Sequence, residues 1–219
     1  MVRPHTAVSR KADGMKQPLS EIFSNVFDQD REPTTYGHIV DEIGQHGIAV
    51  ILILFALPSA LPIPAAGYST ILSIPLFLIG YRLLAGYDTI WLSAKMRERT
   101  FDPKSFSRKL VGAMHRMISF FENFTKPRLS WLTGATITRS AIGILIIALA
   151  ASMALPIPGT NTAPAFGIFL IGFALLEEDG LMLILGVLAS LVALVISLTI
   201  IFFGYQSYIY LKDLLISLF

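Results

Sequence analysis

The residues able to do chemistry in this chain are few, and they cluster at the margins of apolar runs. Glu177-Glu178-Asp179-Gly180 sets three acids between two hydrophobic segments, and Arg82 and Arg139 stand at the edges of charge-free blocks. Asn161 follows the second of two Leu-Pro-Ile-Pro motifs, which supply Pro62 and Pro64, then Pro156 and Pro158. A charged side chain at membrane depth costs roughly 2.5–3.5 kcal/mol even on insertion scales, so an acid pointing inward there is a functional candidate. Arg82 and Arg139 are its natural partners. The plain alternative is a solvated acidic turn with two arginines that snorkel to the surface. Asn161 could line a pore or cap the helix that follows it. Pro62, Pro64, Pro156, Pro158, Asn161, Arg82, Arg139, Glu177 and Asp179 together form a candidate translocation or ligand site.

Other chemistries find no residues to carry them. His5, His38, His46 and His115 have no metal-ligand spacing. His46, at the mouth of the first hydrophobic block, reads as a solvated helix-end histidine. The chain has no cysteine, which removes disulfides, thiolate metal sites and a Cys nucleophile. There is no Ser-His-Asp order, nucleotide loop or phosphate cradle. The expectation is a protein that is not an enzyme, with no metal, no cofactor and no nucleic-acid partner.

The elements around these residues are those of a membrane protein. The chain is 54% hydrophobic and 15% charged, against roughly 25% charged in an average soluble domain. Residues 47–81, 140–176 and 181–211 contain no Asp, Glu, Lys or Arg, and runs of that length are rare in soluble folds. Of 17 Lys and Arg, 11 lie between Arg82 and Arg139, beside only four acids. The positive-inside rule therefore puts this central loop in the cytoplasm. The N-terminal segment is compatible with either side, with a lean toward the cytoplasm. The first 43 residues show no secretory leader.

Two of the apolar blocks are copies of one another. The Leu-Pro-Ile-Pro motifs are offset by 94 residues, and Phe77-Leu78-Ile79-Gly80 matches Phe169-Leu170-Ile171-Gly172 at an offset of 92. Two ordered four-residue identities beside helix breaks mark an internal duplication. Two prolines one residue apart remove backbone donors and stop regular helix. In lipid each unpaired carbonyl costs several kcal/mol. Breaks at corresponding positions of duplicated halves point to a transport site near the midplane; the alternative is a pair of structural corners packed on each other. An inverted relation between the copies is expected, with the crossings left open between one span and five.

The layout that follows is all-α: a polytopic membrane protein with two proline-broken, re-entrant-like helical hairpins and interfacial amphipathic helices. Residues 1–18 read as a disordered tail, and 19–219 as one membrane domain. Within it, 19–27 is a short amphipathic helix, 44–88 is repeat one and 91–131 is a basic interfacial loop carrying an amphipathic helix over 104–124. Repeat two is 138–180. Residues 181–203 form a transmembrane helix ended by Gly204, and 205–219 an interfacial segment. Trp91 and Trp131 fit interfacial anchors. A homodimer is expected, because two short hairpins alone shield broken backbone poorly.

Several ordered features resemble the ExoD family of bacterial exopolysaccharide-synthesis membrane proteins. They are Ala60-Leu61-Pro62-Ile63-Pro64, Phe77-Leu78-Ile79-Gly80, Trp91-Leu92, Glu122 with Lys126-Pro127-Arg128-Leu129, Leu155-Pro156-Ile157-Pro158 and Leu175-Leu176-Glu177-Glu178-Asp179-Gly180. The family more often has Arg where this chain has Lys126 and Glu178. The resemblance covers about residues 20–203 and implies a multi-pass protein of the bacterial inner membrane needed for making or exporting exopolysaccharide. It supplies no reaction. The broken, duplicated hairpins are also distantly similar to the DedA group, some of which are implicated in moving lipid-linked phosphates. Two readings follow: a transporter or lipid translocator for a polyisoprenoid-linked or anionic intermediate, in contact with membrane lipids, or a non-catalytic scaffold using the basic loop 91–131.

Overall fold

The computed structural model describes residues 19–28, 33–43, 47–61, 68–87, 94–105, 107–155 and 161–218. The expected tail at 1–18 lies outside these, as do His46, Trp91 and the four motif prolines. The described chain is mostly helical: α1 (Leu19–Val26), α2 (Tyr36–Ile43), α3 (Gly47–Ala60), α4 (Tyr68–Leu84), α5 (Ala94–Arg97), α6 (Arg108–Glu122), α7 (Ser130–Gly134), α8 (Thr136–Ala154), α9 (Thr162–Leu176) and α10 (Gly180–Leu218). A two-residue antiparallel pair joins β1 (Thr34–Thr35) to β2 (Thr100–Phe101). Two helices, Thr136–Ala154 and Gly180–Gln206 within α10, are long and apolar enough to cross a membrane.

α1, α2 and α6 are amphipathic, whereas the hairpin limbs and α10 follow from composition more than from periodicity. α3 and α9 are apolar all round, as buried helices are. Pro164 stands in the first turn of α9, where an N–H would have no intrahelical partner. Pro58 and Pro75 are carried inside α3 and α4 without ending them. α10 also runs on through Gly204, where the sequence predicted an end. One glycine costs about 1 kcal/mol in a helix, too little to stop a long apolar one.

The two repeats interlock. α4 packs along α8 and α3 along α9, so each hairpin's first limb lies on the other's second. The crossings are equivalent residue by residue. A Cβ on Gly80 would stand 3.0 Å from Gly143 O, 3.0 Å from Ile147 Cγ1 and 3.1 Å from Ile146 Cγ2. One on Gly172 would stand 3.3 Å from Ala49 O, 2.9 Å from Ile53 Cγ1 and 3.2 Å from Leu52 Cβ. Gly80 and Gly172 are related by the offset of 92, and positions 49, 52 and 53 match 143, 146 and 147 by the offset of 94. The duplication is thus present in space as an approximate two-fold.

Its direction corrects the expectation of an inverted repeat. Leu84 meets Gly143 and Ser140, whereas Gly80, one turn earlier, meets Ile146 and Ile147, so α4 and α8 are antiparallel. Ser59 Oγ donates to Ser69 Oγ at 3.2 Å, closing α3 and α4 as a hairpin. α3 and α8 therefore run in the same sense, and the two-fold lies along the bundle. An inverted pair would set them in opposite senses. The connection between repeats leaves from the end of α4 and returns to the start of α8 at the same end of the bundle.

The two-fold breaks at the periphery. α10 packs antiparallel on α9, with Gly167 against Ser190 and Gly186 against Ile171. α6 reaches α9 through Phe121, whose ring lies 5.1 Å from Phe169 and 5.8 Å from Phe173. Phe169 and Phe173 are fully buried, while their counterparts on α4, Phe77 and Tyr81, are 44% and 60% exposed. Sequence likeness between the copies thus coexists with opposite surroundings.

Candidate functional site

The described site residues separate, Asn161 at one end of the bundle and Arg82, Arg139, Glu177 and Asp179 at the other. Pro62, Pro64, Pro156 and Pro158 lie outside the described residues, but the helix ends that flank them are placed. The C-termini of α3 and α8 and the N-termini of α4 and α9 gather at one end, hereafter the corner end. Arg82 near the end of α4, Arg139 in the first turn of α8, and Glu177 and Asp179 after α9 are at the other, the boundary end. Limbs of 14–19 residues set the ends roughly 20–28 Å apart at ~1.5 Å per residue. Asn161 and the helix ends that flank the prolines therefore lie a full limb away from the charges, because a hairpin places its corner and its open ends that far apart.

At the boundary end the charged groups hold the fold. Asp179 is 3% exposed. Its Oδ1 accepts the N–H groups of Leu181 at 3.0 Å and Met182 at 3.1 Å, capping α10. Its Oδ2 accepts the Lys126 N–H at 3.1 Å. Just before it, Glu178 has φ 55° and Asp179 N–H donates to Ala174 O at 3.0 Å, the left-handed closure that usually takes glycine. Gly180 N–H donates to Arg128 O at 2.6 Å, and Arg128 and Asp179 form a parallel bridge. Segments 126–129 and 177–180 are thereby clasped together. Leu129, at φ 51°, is the second non-glycine residue there in the left-handed region. Glu122 serves the same framework: its Oε1 accepts the Ser20 N–H at 2.7 Å and holds α1 on α6.

Arg139, Arg82 and Glu177 are half-buried. Arg139 Nε donates to Thr133 O at 3.0 Å, and the Arg82 guanidinium lies 4.9 Å from the Tyr87 ring centre. Glu177 closes the end of α9, its N–H donating to Phe173 O. Among the described residues no group of acids and histidines is arranged to hold a metal ion.

At the corner end the polar groups are small. Ser59 and Ser69 are hydrogen-bonded to each other and fully buried. Ser73 donates to Thr70 O and Ser152 to Leu149 O, each at 2.7 Å. Asn161 is half-buried at the start of α9, where its carbonyl accepts the Ala165 N–H. By the offset of 92 it is the counterpart of Ser69, so both second limbs begin on a polar side chain. Sequence reasoning missed these serines and the clasp. The signal for the latter was Asp179-Gly180 directly before an apolar run, the pattern of a helix N-cap.

Residues 19–199 match the family described as Exopolysaccharide synthesis, ExoD. An uncharacterized Synechocystis protein, slr1875, is 34% identical over 202 residues, covering 92% of this chain and 93% of its own. Protein ExoD of Rhizobium meliloti is 26% identical over 193 residues, covering 83% of this chain and 78% of its own. No solved structure matches.

Proposed function

Because this chain belongs to the ExoD family, whose members are described by exopolysaccharide synthesis, we propose that it serves that synthesis or export from the bacterial inner membrane as a lipid translocator. In this reading both hairpins enter the bilayer from the cytoplasmic side and turn back within it, and α10 is the one full span. The substrate is a polyisoprenoid-linked or otherwise anionic lipid intermediate.

One observation carries the reading: broken helix ends converge at a depth where α10 is still apolar. Gly167 faces Ser190 and Ile171 faces Gly186, and this register brings Asn161 level with about residue 196 of α10. The apolar run of α10 continues to Phe203, roughly 10 Å further at ~1.5 Å per residue. Helix termini and buried hydroxyls inside hydrocarbon are costly unless something polar meets them. The N-termini of α4 and α9 also carry the positive ends of their helix dipoles, which favour an anionic group. A head group passing between the leaflets would meet a shortened barrier beyond the corners.

The test is protein-dependent movement of a fluorescent polyisoprenyl phosphate between leaflets of proteoliposomes. The wild-type chain should accelerate it, and replacing Asn161 and Ser69 together by Leu and Ala should slow it about tenfold. No acceleration by the wild-type chain rejects the reading.

A second reading, a non-catalytic scaffold of the polysaccharide machinery, has its own support. Arg108, Lys109 and Arg116 are exposed on α6, an amphipathic helix suited to lipid or a partner. Here their neutralisation should abolish polysaccharide production in cells, with the Asn161 and Ser69 changes silent.

A further inference from the structure

A cavity of about 400 Å³ lies between α7, α8 and α10, walled by Leu132, Ile137, Ile142, Leu145, Leu183 and Val187. That volume is within the range of small-molecule sites. α8 and α10 both start at the boundary end, so the groove runs from that boundary into the apolar zone between two helices of the same direction. Its walls begin one turn from the clasp: Leu183 N–H donates to Asp179 O at 2.9 Å and Leu132 N–H to Leu129 O at 2.8 Å.

The clasp sets the main chain of two basic residues one turn from the head of this groove. The Lys126 N–H and the Arg128 carbonyl are bonded to Asp179 and Gly180, at the first turn of α10. Their main chain is thus fixed at the edge of the apolar run. Both residues are exposed, and among the described residues neither side chain has a hydrogen-bond or ion-pair partner. The Asp179 carboxylate is committed to the main chain: both of its oxygens accept backbone amides. Trp131 and Ile137, 70% and 86% exposed beside the groove, suit a position at the membrane interface.

We propose that this groove binds a membrane lipid with a phosphate head group, its chain along α8 and α10 and its phosphate at Lys126 and Arg128. Charge complementarity selects the occupant: an apolar slot beside two exposed cations on a fixed main chain matches a hydrocarbon chain ending in an anion. The inference goes beyond the translocation reading and does not depend on it, since binding requires no lipid to cross a bilayer.

The experiment measures equilibrium binding of fluorescent-acyl phosphatidic acid to the full chain in detergent micelles. Saturable binding is expected, weakened about tenfold when Lys126→Gln and Arg128→Gln are combined. Ile184→Trp, which fills the groove from a position 42% exposed, should weaken it as much without touching the cations. The matching fluorescent diacylglycerol should bind about tenfold more weakly and ignore the Gln substitutions. Wild-type affinity in both variants overturns the proposal. So does displacement of the lipid by inorganic phosphate, which would mark a free-anion site.

Discussion

Gly180 donates its backbone N–H to the Arg128 carbonyl at 2.6 Å, and only glycine permits that approach. A Cβ at this position would stand 2.7 Å from Leu129 O and 2.8 Å from Leu129 Cβ. Gly180→Ala must push the start of α10 away from segment 128–129. A loss of roughly 1–3 kcal/mol is expected, read as a lower unfolding temperature in detergent. An unchanged unfolding temperature would show that the clasp contributes nothing.

Asp179 should be structural rather than a carrier of charge. Asp179→Asn keeps an oxygen for the Leu181 and Met182 amides but loses the acceptor for Lys126. Asp179→Ala loses all three. Caps are typically worth ~1 kcal/mol, and a buried amide left unsatisfied costs about 1–3 kcal/mol. Unfolding temperatures should therefore fall in the order wild type, Asn, Ala. Equal stability of Asn and Ala would contradict the assignment.

The matched glycine crossings give an ordered series. A Cβ on Gly143 would stand 2.5 Å from Leu84 N and 2.7 Å from Gly80 O, both backbone atoms. On Gly80 the nearest backbone atom is 3.0 Å away, and on Gly172 the tightest contact is the Ile53 Cγ1 side-chain atom. Overpacking against backbone cannot relax by a rotamer change. Gly143→Ala should cost about 3 kcal/mol or more, Gly80→Ala less, and Gly172→Ala about 1 kcal/mol. Thermal unfolding of the three variants checks the order, and a Gly172 variant less stable than the Gly143 variant would reverse it.

How much of this was legible in the sequence depends on the range of the interaction. The duplication was legible because its two anchors, Leu-Pro-Ile-Pro and Phe-Leu-Ile-Gly, keep nearly one offset. The limbs α3, α4, α8 and α9 were legible because apolar runs between prolines and charges leave few boundaries to choose. The sense of the repeats was not, since direction depends on which side the chain returns after 85–135, and periodicity carries no record of that. Nor was the clasp, whose partners are main-chain atoms of Lys126, Arg128 and Gly180, groups that every residue type shares. The candidate site suffered most: Arg139 and Asn161 lie in one repeat but at opposite ends of its hairpin, a separation that proximity in sequence conceals.

The central claim is that both hairpins enter from the face of the basic loop and turn back before the far face. The native chain has no cysteine, so single cysteines report without background. At the boundary end, Trp131→Cys should react with an impermeant maleimide only in inverted membrane vesicles. Tyr205→Cys, past the apolar run of α10, should react only in spheroplasts. The deciding position is Leu155→Cys, 42% exposed at the corner end. It should react only from the Tyr205 face, more slowly than Tyr205→Cys, and faster with a small methanethiosulfonate than with the maleimide. Reaction of Leu155→Cys from the Trp131 face, or at the rate of Tyr205→Cys, would contradict the account.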